Sequence, residues 1–301
     1  MSEYHNPVLL KESVDAIVVN PDGVYADATF GGGGHSAEIL SRLSPRGRLI
    51  AFDRDADALA NALDDSRFSL VHNNFRFIHN FLLNFGLKDG IDGIIADLGV
   101  SSHQFDTAGR GFSFRFGAPL DMRMNRRGGK TAADIVNTYP REELERIFRI
   151  YGEVDSPHRI ASLVAAARTK SPILTTSDLD SAVEPALSPS APHKSLAKIY
   201  QALRIEVNQE MRSLEKFLEG AALSLRSGGR IAVITYHSLE DRMVKNFLRS
   251  GNCEGRMDRD IYGNHAAPLR VIARKPVIPS EKEIASNTRA RSAKLRTAER
   301  I

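Results

Sequence analysis

The chain has 301 residues, 42% hydrophobic and 26% charged, with 41 Lys/Arg against 37 Asp/Glu for a net charge of +4. This balance suits one large globular domain, or a domain carrying an insertion, and it is enough to bury a core. One cysteine, Cys253, excludes a disulfide framework and a cysteine-based metal site within one chain.

No stretch approaches the ~20 apolar residues that span a bilayer. The first residues lack the basic and apolar regions of a signal peptide, so the cytoplasm is the expected compartment and no membrane partner is expected.

Short apolar runs predict strands over Val24–Thr29, Leu49–Asp53, Phe68–His72 and Gly93–Asp97, with helical stretches over Ser36–Leu43, Ala56–Leu63 and Arg76–Phe85. Alternation of this kind argues for a parallel sheet covered by helices. The first strand runs into four glycines, Gly31 to Gly34, and the second ends on Asp53. Glycine is costly to order, so such a run fits a turn that needs positive φ or lets a ligand approach the backbone. An acid at the carboxyl end of the second strand can accept hydrogen bonds from both hydroxyls of a ribose.

Gly32-Gly-Gly-His-Ser-Ala37 satisfies the loose G-x-G-x-x-A fingerprint for a dinucleotide, a weak signal by itself. Asp27, just before the turn, would repel a pyrophosphate and suits a cationic ligand instead. S-adenosylmethionine, with its ammonium and sulfonium, matches a site rich in acids. Asp97-Leu-Gly-Val-Ser-Ser102 follows the fourth strand, where open α/β sheets place ligands, so Asp97, Ser101 and Ser102 are the candidates to meet a substrate.

From 105 to 204 no strand-like run occurs. Leu144, Ile147, Phe148 and Tyr151 recur at helical spacing, as do Ile160, Leu163, Val164 and Ala167, which predicts a helical insertion. Between Asp106 and Lys130 six Lys/Arg face two acids, interleaved with aromatics, a composition that suits single-stranded nucleic acid or a loop packed by its phenylalanines. A long helical pattern from Leu196 to Leu225 is expected to stop at Gly228-Gly229. A buried strand over Ile231–Tyr236 follows, then a helix capped by Ser238. Leu269–Ala273 reads as a final edge strand.

Residues 270–301 hold nine Lys/Arg and three Glu. The alternation of Arg289, Arg291, Lys294 and Arg296 with Ser and Ala gives this tail little reason to pack and points to RNA phosphates. The nine histidines contain no His-x-x-x-His pair, so no metal site is expected. His35, which opens the helix after the glycines, is expected to border the cofactor. On these residues alone, a nicotinamide-dependent oxidoreductase and a non-catalytic RNA-binding factor stay open beside a nucleotide-cofactor enzyme acting on nucleic acid.

Ten segments, in order along the whole chain, resemble one family. They are His5-Asn-Pro-Val-Leu9, Thr29-Phe-Gly-Gly-Gly-Gly-His35, Asp53-Arg-Asp55, Ala96-Asp-Leu-Gly-Val-Ser-Ser102, Gly111-Phe-Ser-Phe114 and Pro119-Leu-Asp-Met-Arg-Met124, then Tyr151-Gly-Glu153, Gln201-Ala-Leu-Arg-Ile205, His237-Ser-Leu-Glu-Asp-Arg242 and Arg289-Ala-Arg-Ser-Ala-Lys-Leu-Arg296. Together they are similar to the bacterial small-subunit ribosomal RNA methyltransferase H family, also called MraW.

The resemblance implies a class I S-adenosylmethionine-dependent methyltransferase sheet (Rossmann-like α/β) over 1–104 and 205–301, with an all-helical subdomain at 105–204 that meets RNA. It implies methylation of the exocyclic 4-amino nitrogen of a cytidine in the decoding region, on small-subunit ribosomal RNA or the assembled subunit. It assigns cofactor contacts to Gly33, Gly34, His35, Asp53, Phe75, Asp97 and Gln104. The sequence is compatible with a homodimer. Two departures stand out: His103 replaces the family's usual proline before Gln104, and Thr235-Tyr236 replaces the usual Ser-Phe.

Overall fold

The structure, a computed structural model, describes residues 7–115, 117–257 and 267–301, the side chain of Ser102 excepted. His5 and Asn6 of the first family segment lie outside the described residues. The chain divides into two compact units, one of residues 1–99 and 211–301 and one of residues 100–210.

The first unit is built on a seven-stranded sheet. Its strands are β1 (Val24–Asp27), β2 (Arg48–Asp53), β3 (Phe68–His72), β4 (Ile91–Asp97), β5 (Leu225–Thr235), β6 (Leu269–Val271) and β7 (Lys294–Arg300), in the order β3-β2-β1-β4-β5-β7-β6. Strands β1 to β5 are parallel, and β7 runs antiparallel between β5 and β6. Helices α1 (Leu10–Ile17), α2 (Gly34–Arg42) and α3 (Ile78–Asn84) belong to this unit.

Side-chain alternation along the strands feeds two cores. Ala26, Ile94, Ala96, Ile231 and Val233 pack with Ile78 and Leu82 of α3 on one face, while Tyr25, Ile95, Ala232 and Ile234 pack with Val14 and Ile17 of α1 and Ile39 of α2 on the other. A sheet covered on both faces explains why these strands read as near-continuous apolar runs. The order of connection reverses between β1 and β4, so the crevice outside their carboxyl ends is the topological switch point.

The second unit is helical: α4 (Ser102–Asp106), α5 (Ala132–Thr138), α6 (Arg141–Ile150), α7 (Pro157–Lys170), α8 (Thr176–Val183) and α9 (Pro192–Asn208). Leu144, Ile147, Phe148, Ile160 and Val164, the residues at helical spacing, meet in a core of its own. The chain then re-enters the first unit through α10 (Glu210–Ser224), followed by α11 (Ser238–Ser250) and α12 (Glu281–Ser286).

Four expectations are corrected. The single long helix after Leu196 is two, because Gln209 takes the left-handed conformation at φ 48°. Gly228-Gly229 does not stop a helix. It lies inside β5, where register passes from Ile91↔Leu225 to Gly93↔Arg230 and the intervening residues bulge out, with Gly228 at φ 78°. The residues after Asp55 form a 3-10 turn, Ala56–Asn61, instead of an α-helix; Asp64 and Asp65 follow it where a helix C-terminus favours cations. The cap of α11 is His237, not Ser238.

The basic tail departs most from expectation. It packs: Ala290, Ala293, Leu295 and Ala298 are all at most 2% exposed. Alternation of small apolar with polar residues is a strand signal here, with the short side chains turned into the core. Residues Lys294–Arg300 form β7, hydrogen-bonded on both edges. Removal of residues 287–301 is therefore expected to abolish the cooperative unfolding transition followed by circular dichroism; a truncated chain that unfolds cooperatively near the full-length midpoint would contradict an interior β7.

Candidate active site

Three acids stand at the carboxyl ends of adjacent strands: Asp27 on β1, Asp53 on β2 and Asp97 on β4. Each is held differently. Asp27 is 1% exposed, sealed from any ligand, and each of its oxygens is held from within: Oδ1 accepts from the Thr29 amide at 3.0 Å and Oδ2 from the Ser36 hydroxyl at 2.7 Å. The expectation that Asp27 faces a cationic ligand is thus corrected. It turns inward and ties β1 to the first turn of α2, and burial raises its pKa despite the bonds from Ser36 and Thr29.

Asp53 organises the glycine turn. Its Oδ2 accepts from the Gly31 amide at 2.8 Å and its Oδ1 from the Asp55 amide at 2.8 Å. Each oxygen keeps a lone pair for a further donor. Burial pushes its pKa up, the two backbone N–H groups working against that. Gly31 sits at φ 52°, and a Cβ built there would have the Thr29 carbonyl oxygen as its nearest neighbour, at 4.0 Å. The turn therefore leaves its backbone approachable at that point.

Gly33 and Gly34 serve the packing of the turn. A Cβ on Gly33 would meet the Phe30 ring at 3.0 Å, and one on Gly34 would fall 2.1 Å from Cγ of Pro7. His35 is 5% exposed, and its Nε2 lies 3.2 Å from the Val8 carbonyl oxygen. Since a carbonyl can only accept, Nε2 carries the proton and Nδ1 faces Asp97 Oδ2 at 3.9 Å. Burial lowers the His35 pKa, with Asp97 and the Val8 carbonyl opposing it.

Asp97 has its amide on the Thr29 hydroxyl at 2.6 Å, and its Oδ1 accepts from the Tyr236 hydroxyl at 2.7 Å. Its side chain remains 23% exposed. Burial pushes its pKa up to about 6, with His35 and Tyr236 holding it down and Asp27 and Glu240 adding to the rise. Phe75 begins a 3-10 turn after β3, and its ring meets Phe217 edge-on at 5.2 Å, which anchors one rim in the core.

Ser101 and Gln104 belong to the second unit, where they form a capping box at α4: the Gln104 amide donates to Ser101 Oγ and the Ser101 amide to Gln104 Oε1, both at 3.2 Å. The side chain of Ser102 lies outside the described residues. In the same unit the 122–124 segment is clasped from two sides. The buried Arg110 guanidinium donates to the Arg123 and Met124 carbonyls at 3.1 Å, while Asn208 donates to the Met122 carbonyl and accepts from the Met124 amide, both at 2.8 Å. This holds Met122 at φ 60° and presents Arg126, Arg127 and Lys130 exposed beyond it. The phenylalanines beside these cations pack inward: Phe112 is 4% exposed, and Phe114 is stacked on His193 and edge-on to Tyr200.

Of the tail residues, Arg289 and Arg291 are exposed. Lys294 and Arg296 are engaged with Asp241 of α11, at 3.2 and 2.6 Å. Sequence reading missed these ties, and it missed the contacts of Ser36, Thr29 and Tyr236 to the acids. Hydroxyls beside buried carboxylates were the available signal.

Asp97 ties stability to pH. Folding raises its pKa from the ordinary 3.8 to about 6, so the folded chain holds a proton that the unfolded chain releases between those values. Stability from this group is present at low pH and is lost as pH rises through that window. Asp97→Asn in the ligand-free protein is expected to unfold at higher urea concentration than wild type at pH 7.5, by at most about 3 kcal/mol, with the gap closing near pH 4. A gap equal at both pH values would show that Asp97 does not titrate in this window.

The model of the MraW methylase family matches residues 2–301. A ribosomal RNA small subunit methyltransferase H from Bacteroides fragilis is 54% identical over 297 residues, covering 99% of this chain and 97% of that one. Proteins of the same name from Flavobacterium johnsoniae and Christiangramia forsetii are 54% and 50% identical over 299 and 301 residues, covering at least 99% of this chain and at least 98% of theirs. With its switch-point acids and its helical unit between β4 and β5, the chain belongs to the MraW methylase family.

Proposed function

We propose that this methylase transfers the methyl group of S-adenosylmethionine to the exocyclic N4 amine of a cytidine in the decoding region of small-subunit ribosomal RNA. The observation that carries the reading is the pair of acids, Asp53 and Asp97, flanking a glycine turn at the switch point of a chain so close to named ribosomal RNA small subunit methyltransferases. The residues present fit the donor: Gly31 leaves the turn open, Asp53 has lone pairs for ribose hydroxyls, and a partly exposed Asp97 suits a cation.

When bound, S-adenosylmethionine supplies an electrophilic methyl group on a cationic sulfur. Asp53 holds the ribose, Gly33, Gly34 and His35 shape the turn against it, and Phe75 offers a ring face to the adenine. Gln104 and Asp97 complete the contacts. The target amine is a poor nucleophile because its lone pair is delocalised into the cytosine ring. Orientation of that amine is the chain's main contribution, worth ~7–11 kcal/mol in favourable cases. Asp97, or a hydroxyl or carbonyl of Ser101 or Ser102, accepts a hydrogen bond from the amine and localises its lone pair, and the proton released on methylation passes to Asp97 or to solvent. Asp97, with its pKa about 6, is ionised at neutral pH and able to do so.

The helical unit, with Arg126, Arg127 and Lys130 exposed on a clasped segment, carries the RNA backbone. Arg289, Arg291, Lys294 and Arg296 add phosphate contacts, the last two while paired with Asp241. The target base leaves its stack to react.

Small subunits from cells lacking this gene, incubated with the enzyme and methyl-labelled donor, are expected to yield labelled 4-N-methylcytidine by nucleoside mass spectrometry. Label on any other nucleoside would refute the reading. Asp53→Ala should weaken donor binding about 10- to 100-fold by calorimetry, since it deletes charge-assisted hydrogen bonds. Ser101→Ala should keep donor affinity and slow transfer; equal loss of affinity in both variants would remove the division of roles.

A further inference from the structure

Tyr236 is held at both ends. Its amide donates to Glu240 Oε2 at 2.9 Å, and its hydroxyl donates to Asp97 Oδ1 at 2.7 Å. Its ring passes Gly99, whose φ of 106° is a conformation open to glycine. The phenol is therefore delivered to Asp97 by a rigid mount.

Among the described residues, the phenol is the side chain that hydrogen-bonds the Asp97 carboxylate. His35 Nδ1 lies 3.9 Å from Oδ2, beyond hydrogen-bond range, so it acts on Asp97 through charge when protonated and not through a hydrogen bond. The other charged or titratable groups that act on Asp97 are His35 of α2, which favours the carboxylate, and two acids that oppose it, Asp27 from β1 and Glu240 from α11. Glu240 and Glu283 act on Tyr236 in turn. A carboxylate so placed has one rotamer fixed by a neutral donor, one oxygen bonded and the second turned to the partly exposed side.

We propose that Tyr236 is a positioning residue of the methyl-donor site, whose hydroxyl orients the Asp97 carboxylate and keeps it anionic for a cationic ligand. The inference rests on the assignment of Asp97 to that site. A hydrogen bond donated to a carboxylate favours its charged form, so removal of the hydroxyl makes the acid easier to protonate. In the wild type, binding of the cation weakens as pH falls through the Asp97 titration. Without the phenol that loss begins at higher pH.

The test is calorimetric titration of S-adenosylmethionine into wild type, Tyr236→Phe and Asp97→Asn, from pH 5 to pH 8, with the thermal midpoint of each protein measured alongside. The expected result is a binding midpoint near pH 6 in wild type, moved upward by about one pH unit in Tyr236→Phe, and a flat, weakened profile in Asp97→Asn. An unmoved midpoint in Tyr236→Phe, with or without a uniform loss of affinity, would overturn the proposal and leave Tyr236 a packing residue. Wild-type affinity in Asp97→Asn would overturn both the proposal and the placement of Asp97 in the donor site.

Discussion

Burial of negative charge at the switch point is the constraint on which the rest of this structure depends. Asp27, Asp53 and Asp97 terminate β1, β2 and β4, and the partners described for them are neutral donors: hydroxyls of Ser36 and Tyr236, amides of Thr29, Gly31 and Asp55. Hydrogen bonds of this kind hold a carboxylate in place without cancelling its charge, and low polarity around it keeps that charge costly. The local architecture follows from this. Ser36 is completely buried in α2 because Asp27 needs it, and Gly31 bends its amide inward because Asp53 accepts it. A site with an uncancelled negative potential favours a cation and disfavours a pyrophosphate, which is the physical ground for preferring a sulfonium donor over a dinucleotide.

The acids also divide the labour by exposure. Asp27 is sealed and structural. Asp53 is held by two amides and keeps accepting capacity. Asp97 combines a pKa raised to about 6 with a side chain partly open to water. Perturbed titration in an accessible cleft is a mark of function, and sealed perturbation is a mark of architecture.

Sheet, turn and insertion were legible because they rest on periodicity and glycine, both local. Strands β1 to β4 start and end within a few residues of the apolar runs, and the helices of the second unit match the spacing of Leu144–Phe148 and Ile160–Val164. What escaped depended on residues far apart in sequence. Arg296 reads as a free cation until Asp241 is placed against it, and Ala293, Ala298 and Leu295 read as linker until β5 lies alongside. The capping of α11 by His237 was missed because histidine is an uncommon cap. Gly228-Gly229 misled because a bulge and a helix stop use the same residue. At the candidate site the acids and the turn were found, but the phenol on Asp97 was noted only as a departure from the family pattern. Nothing local shows that the residue after β5 reaches across to the end of β4.

The position of β7 has a consequence for how the chain is made. Strand β5 leaves the ribosome with its outer edge unpaired, and the strand that covers this edge follows only after roughly 60 further residues, as the spacing of Thr235 and Lys294 shows. Throughout that interval the unpaired edge of an apolar strand is available to any other extended chain. The helical unit, with a core of its own, can close early, while the catalytic sheet cannot. Synthesis of this chain therefore passes through a stage at which the helical unit is finished and the sheet is still open to mispairing, and it is there that a chaperone, or a slow codon, would act.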